Sequence, residues 1–168
     1  MARLLIDSTR SFITFRGRSS VHPITATARP SGWFSGITDG VFDETGPLAG
    51  HLEVPVTELA SGNPLIDRET RRRIDARRHP NITGDLAEAG DVHPTRATVE
   101  GNIEFTGETV LVEGDLHLER SDDGDLIMSG DGTFDVRWWG MEPPRLLMLR
   151  VEPELEVSIR LLLVDEEG

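Results

Sequence analysis

The amino-acid sequence predicts an all-β protein, with about eight antiparallel strands rolled into a barrel or highly curved sheet and one short helix inserted around residues 64–78. Three observations carry this prediction. Apolar and polar residues alternate with a period of two along most of the chain, a spacing that suits half-buried strands and not helices. Only one convincing helix signal occurs, the capping pair Asn63-Pro64. Glycines recur inside the apolar rows, where a strand either bends or leaves space beside it.

The clearest stretch is Ala97 to Leu118. Ala97, Val99, Gly101, Ile103 and Phe105 share one face of a first run, and Val110, Val112, Gly114, Leu116 and Leu118 share one face of a second. Thr106-Gly107 links them, so the pair reads as a hairpin. A two-stranded ribbon is marginal in water, and the other runs supply its cover.

In chain order, Leu4 to Ile6 and Phe12 to Phe15 form an opening strand broken by the turn Asp7-Ser8-Thr9-Arg10. Ile24, Ala26 and Ala28 define a second strand with small inner residues, and Gly32 to Ile37 with Gly40 to Phe42 a looser third. Leu48, Gly50, Leu52, Val54 and Val56 make a fourth. Its Pro55 belongs at an edge or bulge, because proline cannot donate to a ladder. Asn63 caps and Pro64 opens a helix that should run to about Arg78, with Leu65, Ile66 and Ile74 as its apolar contacts. His79-Pro80 ends it. Asn81 to Leu86 returns to strand. After the hairpin, a strand through Leu126, Met128, Gly130, Gly132, Phe134 and Val136 reaches Arg137, and a last one runs through Leu155, Val157, Ile159, Leu161 and Leu163. Closing these strands into a barrel removes the exposed edges on which sheets aggregate.

Gly50, Gly84, Gly101, Gly114, Gly130 and Gly132 all fall on inner rows. Strand-interior glycine costs backbone entropy and packing. Two compatible readings stay open: corner glycines that let the barrel curl, and small residues that leave the lumen partly unfilled. On the second reading the lumen is lined by Leu52, Val54, Ile103, Phe105, Val112, Leu116, Met128, Phe134, Val157 and Ile159, a lining suited to a hydrophobic molecule.

Composition narrows the function classes. At 168 residues the chain reads as one domain, residues 1–168. With 17 basic against 30 acidic residues and a formal charge of -13, it repels polyanions, which argues against nucleic acid as a partner. It has no cysteine, so disulfide and thiolate chemistry do not arise. Asp7 arrives before any apolar run long enough for a signal peptide, and no run approaches the ~18 residues of a membrane span. The expectation is a cytoplasmic protein without a membrane span, with peripheral membrane contact and homodimerisation left open.

Several stretches carry a family resemblance. Ile6 to Phe15, IDSTRSFITF, is similar to an opening I-D-x-x-H-S-x-V-x-F; Glu58 to Pro80 to a T-G-N, Asp-containing helix and Y-P segment; Gly101 to Thr109 to a G-x-L-T-x-x-G-x-T hairpin; and Asp135 to Gly140 to a late R-x-x-G element. Together they resemble the YceI-like proteins over nearly the whole chain. Arg10 stands where that family has its first His, and the double Phe after the helix is absent. The resemblance implies a lipocalin-like eight-stranded barrel that binds a polyisoprenoid, quinone or other amphiphilic lipid in its tunnel; it does not imply enzymatic activity, and no cofactor is expected.

The remaining candidates are polar. His22, His51, His79, His93 and His117 show no paired spacing that would place two metal ligands on one element. Arg68, Arg71, Arg72, Arg73, Arg77 and Arg78 crowd the helix region; Asp67 with Arg71 and Glu69 with Arg73 are spaced for intrahelical pairing. The functional alternative is an anion clamp at the barrel mouth built on Arg72 and Arg73. Trp138 and Trp139, as strand neighbours, should face opposite ways, one inward and one at the rim. Arg137 beside them is a further rim candidate. No nucleophile elbow, phosphate loop or dinucleotide fingerprint occurs. The favoured reading is a non-catalytic carrier of a hydrophobic ligand; the alternatives are a small barrel enzyme and a ligand-free interaction or stress protein with a solid barrel. An inward Asp, Glu or His would favour the first alternative.

Overall fold

The fold is that of a computed structural model, which describes residues 3–143, 145–146 and 149–166. The pair Pro143-Pro144 reads as a turn in the sequence, and Pro144 lies outside these residues. Fourteen strands and one α-helix follow in order: β1 Arg3–Ile6, β2 Phe12–Arg18, β3 Pro23–Ala28, β4 Ser31–Ser35, β5 Ile37–Thr38, β6 Val41–Phe42, β7 Ala49–Pro55, α1 Pro64–Ile74, β8 Asn81–Val92, β9 Arg96–Phe105, β10 Glu108–Arg120, β11 Leu126–Asp135, β12 Arg145–Leu146, β13 Leu149–Arg150 and β14 Glu154–Asp165.

The main sheet runs β1-β4-β7-β8-β9-β10-β11-β14, and β14 pairs back onto β1, so eight antiparallel strands close a barrel. β2 continues the line of β1 along β14, and β3 pairs with β2. The break between β1 and β2 is written locally. Asp7 accepts hydrogen bonds from the Thr9 N–H at 3.1 Å and the Thr9 hydroxyl at 2.7 Å. The Leu162 N–H of β14, left opposite the break, donates to the buried Ser11 hydroxyl at 2.8 Å. A backbone donor that would otherwise be orphaned is thereby satisfied.

The hairpin forms as its pattern dictates, with Val112 opposite Gly101 and Leu116 opposite Ala97. Thr106 (φ 49°) and Gly107 (φ 83°) both adopt positive φ, the primed form that matches strand twist. Pro55 closes β7 opposite Asn81, where the β4 ladder has already ended at Glu53.

Three expectations shift. The strand from Asn81 runs on to Val92, with register breaks at Leu86/Glu88 and Ala89/Val92, because Ala87 to Asp91 abandon strict alternation without losing the ladder. β11 stops at Asp135, and Val136–Trp139 form a 3-10 turn capped by the Asp135 carboxylate. The helix ends at Ile74: Asp75 takes a left-handed conformation (φ 58°), and the Ala76 N–H bonds Arg71 O, a Schellman-type stop. Leu65, expected as an apolar contact, is exposed, while Ile66 and Ile74 are buried.

The interior is filled at one end only. Ile6, Phe34, Ile37, Phe42, Ala97, Val99, Leu116, Leu118, Leu126, Met128, Leu161 and Leu163 form one cluster that plugs the β1 end. At the other end Val56, Ile74, Val136 and Met141 make a smaller cluster beneath α1.

Candidate functional site

Between the plug and α1 lies a cavity of about 360 Å³. This falls within the roughly 300–1,000 Å³ usual for small-molecule sites. Strand rows supply its walls through the period-two alternation: Ile13 and Phe15 from β2, Leu52 and Val54 from β7, Ile82 from β8, Ile103 and Phe105 from β9, Val112 from β10, Phe134 from β11, and Leu155, Val157 and Ile159 from β14. The helix contributes Ile66, Thr70 and Ile74, one row at intervals of four, flanked by Asp67 and Arg71.

Of the ten expected lumen residues, nine line this cavity, including Leu116, which also touches the plug. Met128 does not. It is fully buried in the plug, because β11 is long enough for its early residues to face the filled end, while the stretch from Gly130 to Phe134 reaches the hollow. Ile13, Phe15, Ile66, Ile82 and Leu155 belong to the lining as well; the same alternation, followed along every strand, marks those on β2, β8 and β14.

The glycines divide by what stands beside them. A Cβ at Gly84 or Gly114 would meet nothing within 4 Å, so these two leave room. At Gly50 a Cβ would sit 2.5 Å from the Phe34 ring, and at Gly132 it would sit 3.1 Å from Phe134, so these let an aromatic ring lie against the neighbouring backbone. At Gly130 the obstacle is the Asp115 carbonyl at 3.0 Å.

The wall also parts at one seam. The β10–β11 ladder covers only residues 117–120 and 126–129. Toward α1 the two strands separate, although β10 stays paired with β9 to Glu108 and β11 with β14 to Asp135. An outer groove lined by Thr14, Arg16, His117, Asp131 and Arg160 meets the cavity there, and both share Gly114 and Gly130.

The rim residues separate sharply. Trp139 is 4% exposed, donates its indole N–H to Ile103 O at 2.9 Å and stands edge-on to Phe105. Trp138 is half-exposed against Phe134. One thus faces in and one out, as expected, although a 3-10 turn rather than a strand sets the directions. Arg137 spends its guanidinium on Asp135, at 2.6 Å, and points to solvent. Arg72 pairs with Glu69 at 2.9 Å, and Arg73 with Glu69 at 2.9 Å and Glu142 at 3.2 Å. None of these three arginines lines the cavity; Arg71 does. The expected Asp67–Arg71 pair does not form, because Asp67 accepts from the Ser61 N–H at 3.0 Å and hydroxyl at 2.6 Å. The row Ile66-Thr70-Ile74, spaced at intervals of four, is the signal that points to Arg71, beside Thr70, over its neighbours.

Electrostatics outside the lumen is that of exposed pairs. Hydrogen bonds from Arg72 and Arg73 hold Glu69 below the usual carboxylate range, Arg137 does the same for Asp135, Arg96 and Thr98 for Asp115, and Thr9 and Arg10 for Asp7. The His51 imidazole contacts Asp85 at 2.7 Å on the outer face of β7 and β8. No group of three metal-ligating side chains gathers among the described residues, and no helix there is long and apolar enough to cross a membrane.

A closed eight-stranded antiparallel barrel, filled at one end and hollow and apolar at the other, defines a lipocalin-like architecture. The chain belongs to the YceI-like family, whose domain matches residues 5–163. Solved structures agree on the fold. BcnA of Burkholderia cenocepacia superposes with a TM-score of 0.77 at 10% identity, covering 94% of this chain and 98% of its own. A polyisoprenoid binding domain from Saccharophagus degradans implicated in plant cell wall breakdown gives 0.73 at 13%, covering 98% and 99%. The YceI protein of Campylobacter jejuni gives 0.62 at 12%, covering 83% and 82%. No curated protein matches the chain by sequence.

Proposed function

We propose that the protein binds a hydrophobic or amphiphilic molecule, a polyisoprenoid, quinone or related lipid, non-covalently in the hollow half of the barrel, and that it does so without catalysis. The observation that carries this reading is the bare space beside Gly84 and Gly114 in an apolar lumen. A folded protein gains by filling such space with side chains, and two glycines there forgo that gain. At ~25 cal/mol per Å² of apolar area buried, a hydrocarbon tail offsets the cost of association without any reactive group. The Saccharophagus degradans relative, described as polyisoprenoid-binding, supports the same class of ligand.

The contacts assigned to the tail are Leu52, Val54, Ile103, Phe105, Val112, Leu116, Phe134, Val157 and Ile159, with Trp139 closing the α1 end. Native mass spectrometry of the purified protein, followed by organic extraction and lipid analysis, tests the assignment. A stoichiometric isoprenoid, quinone or other lipid is expected. A clean unliganded mass, with no uptake from a lipid mixture, would overturn it. The same spectrum reads the oligomeric state, and cell fractionation tests the cytoplasmic placement.

A further inference from the structure

Among the described residues, Arg71 is the one arginine or lysine on the wall of a mainly apolar cavity, which Asp67, Glu113 and Asp131 also border. Its Nε is buried and has no hydrogen-bond partner, and its Nη2 has only a contact to Leu59 O at 3.5 Å, the outer limit of a hydrogen bond. No carboxylate among the described residues forms an ion pair with it: Asp67, one turn earlier, is turned to Ser61, and Glu69 is taken by Arg72 and Arg73. Burying a charged donor without a partner is costly, and such groups are ordinarily paired. Nε–H and Nη2–H lie along one edge of the guanidinium and form the fork that matches two oxygens of a carboxylate or phosphate.

We infer that Arg71 is the head-group anchor of the cavity and that the ligand is an amphiphile ending in an anion, either a carboxylate or a phosphate ester, with its apolar tail along the strand walls. This rests on the lipid-binding reading and narrows it. It also accounts for the arginine-rich helix on a chain of net charge -13: six arginines between Arg68 and Arg78 give the α1 end a local positive field that admits an anion the rest of the surface repels.

Displacement of the neutral fluorophore N-phenyl-1-naphthylamine separates this inference from the broader one. Competitors are matched pairs with the same tail, oleate against oleyl alcohol and farnesyl phosphate against farnesol, and inorganic phosphate alone as the tailless probe. The wild type should prefer one of the anions over its alcohol by about tenfold or more, the worth of a charge-assisted pair. The favoured pair distinguishes carboxylate from phosphate, and inorganic phosphate should not displace the fluorophore. Arg71→Met should abolish the preference while retaining the fluorophore and the alcohols, and Arg71→Lys should keep part of it; Arg68→Met, which removes one exposed charge of the local field but not the anchor, should lower it far less than Arg71→Met does. Equal competition by anion and alcohol in the wild type, or an undiminished preference in Arg71→Met, overturns the anchor while leaving lipid binding standing. Failure of the wild type to take up fluorophore or lipid overturns both.

Discussion

The two ends of the barrel are built from the same strands with the same alternation, yet one is solid and the other hollow. At the β1 end the inner rows carry Leu116, Leu118, Leu126, Met128, Leu161 and Leu163, and these side chains meet across the lumen. A few residues along the same strands, the rows carry Gly84, Gly101, Gly114 and Gly132, and the walls no longer touch. Period-two patterning therefore decides which residues face inward, and the size of those residues decides whether inward means core or cavity.

The sharpest way to break this contrast is to truncate one residue at each end. Met128→Ala in the plug should cost about 2–5 kcal/mol in urea unfolding, because it opens a void among fully packed neighbours. Val112→Ala on the cavity wall should cost less, about 1 kcal/mol, since it enlarges a space that already exists. Equal losses would mean that the two ends are packed alike.

Overfilling gives a second comparison. Gly50→Leu drives a side chain into the Phe34 ring and should cost about 1–3 kcal/mol, read as a lower thermal midpoint. Gly107→Ala, in the hairpin turn at φ 83° and pressed against His79, should lose about 1 kcal/mol or more for conformational reasons alone.

The smallest effect is expected from acid. Asp7, Asp115 and Asp135 have folded-state values below their ordinary ones, so the folded protein binds fewer protons than the unfolded chain in mildly acidic solution. Their contribution is present above about pH 4–5 and is lost as pH falls through the depressed values. Because these groups are exposed, the decline in midpoint between pH 5 and 3 should be modest and should shrink in high salt. A stability that rose on acidification would contradict these pairings.

Much of this architecture was legible in the sequence. The hairpin, the break at Asp7, the Asn63 cap and nine of ten lumen residues follow from alternation and turn chemistry, which act between near neighbours. What the sequence did not place depends on distance along a strand or around a helix. Met128 sits on an inner row, but only closure of the barrel determines that its level belongs to the plug. Arg71 does not stand out from Arg72 and Arg73 in the sequence, because the run of charges has no obvious face until Ile66, Thr70 and Ile74 point at the lumen. The helix end is hidden in the sequence for a different reason: Asp75, and not glycine, takes the left-handed stop. The split between room-making and ring-accommodating glycines also required coordinates, since Gly50 and Gly84 look alike in an alternating pattern.

The central claim, that the hollow is kept for a ligand, is tested most directly by filling it. Gly84→Leu combined with Gly114→Leu places two side chains where a Cβ meets nothing. Both positions lie in strands, which leucine tolerates better than glycine does. The account predicts a folded protein with a thermal midpoint at or above that of the wild type and with lipid uptake lost by native mass spectrometry. A folded double variant that still loads lipid with wild-type stoichiometry would contradict it.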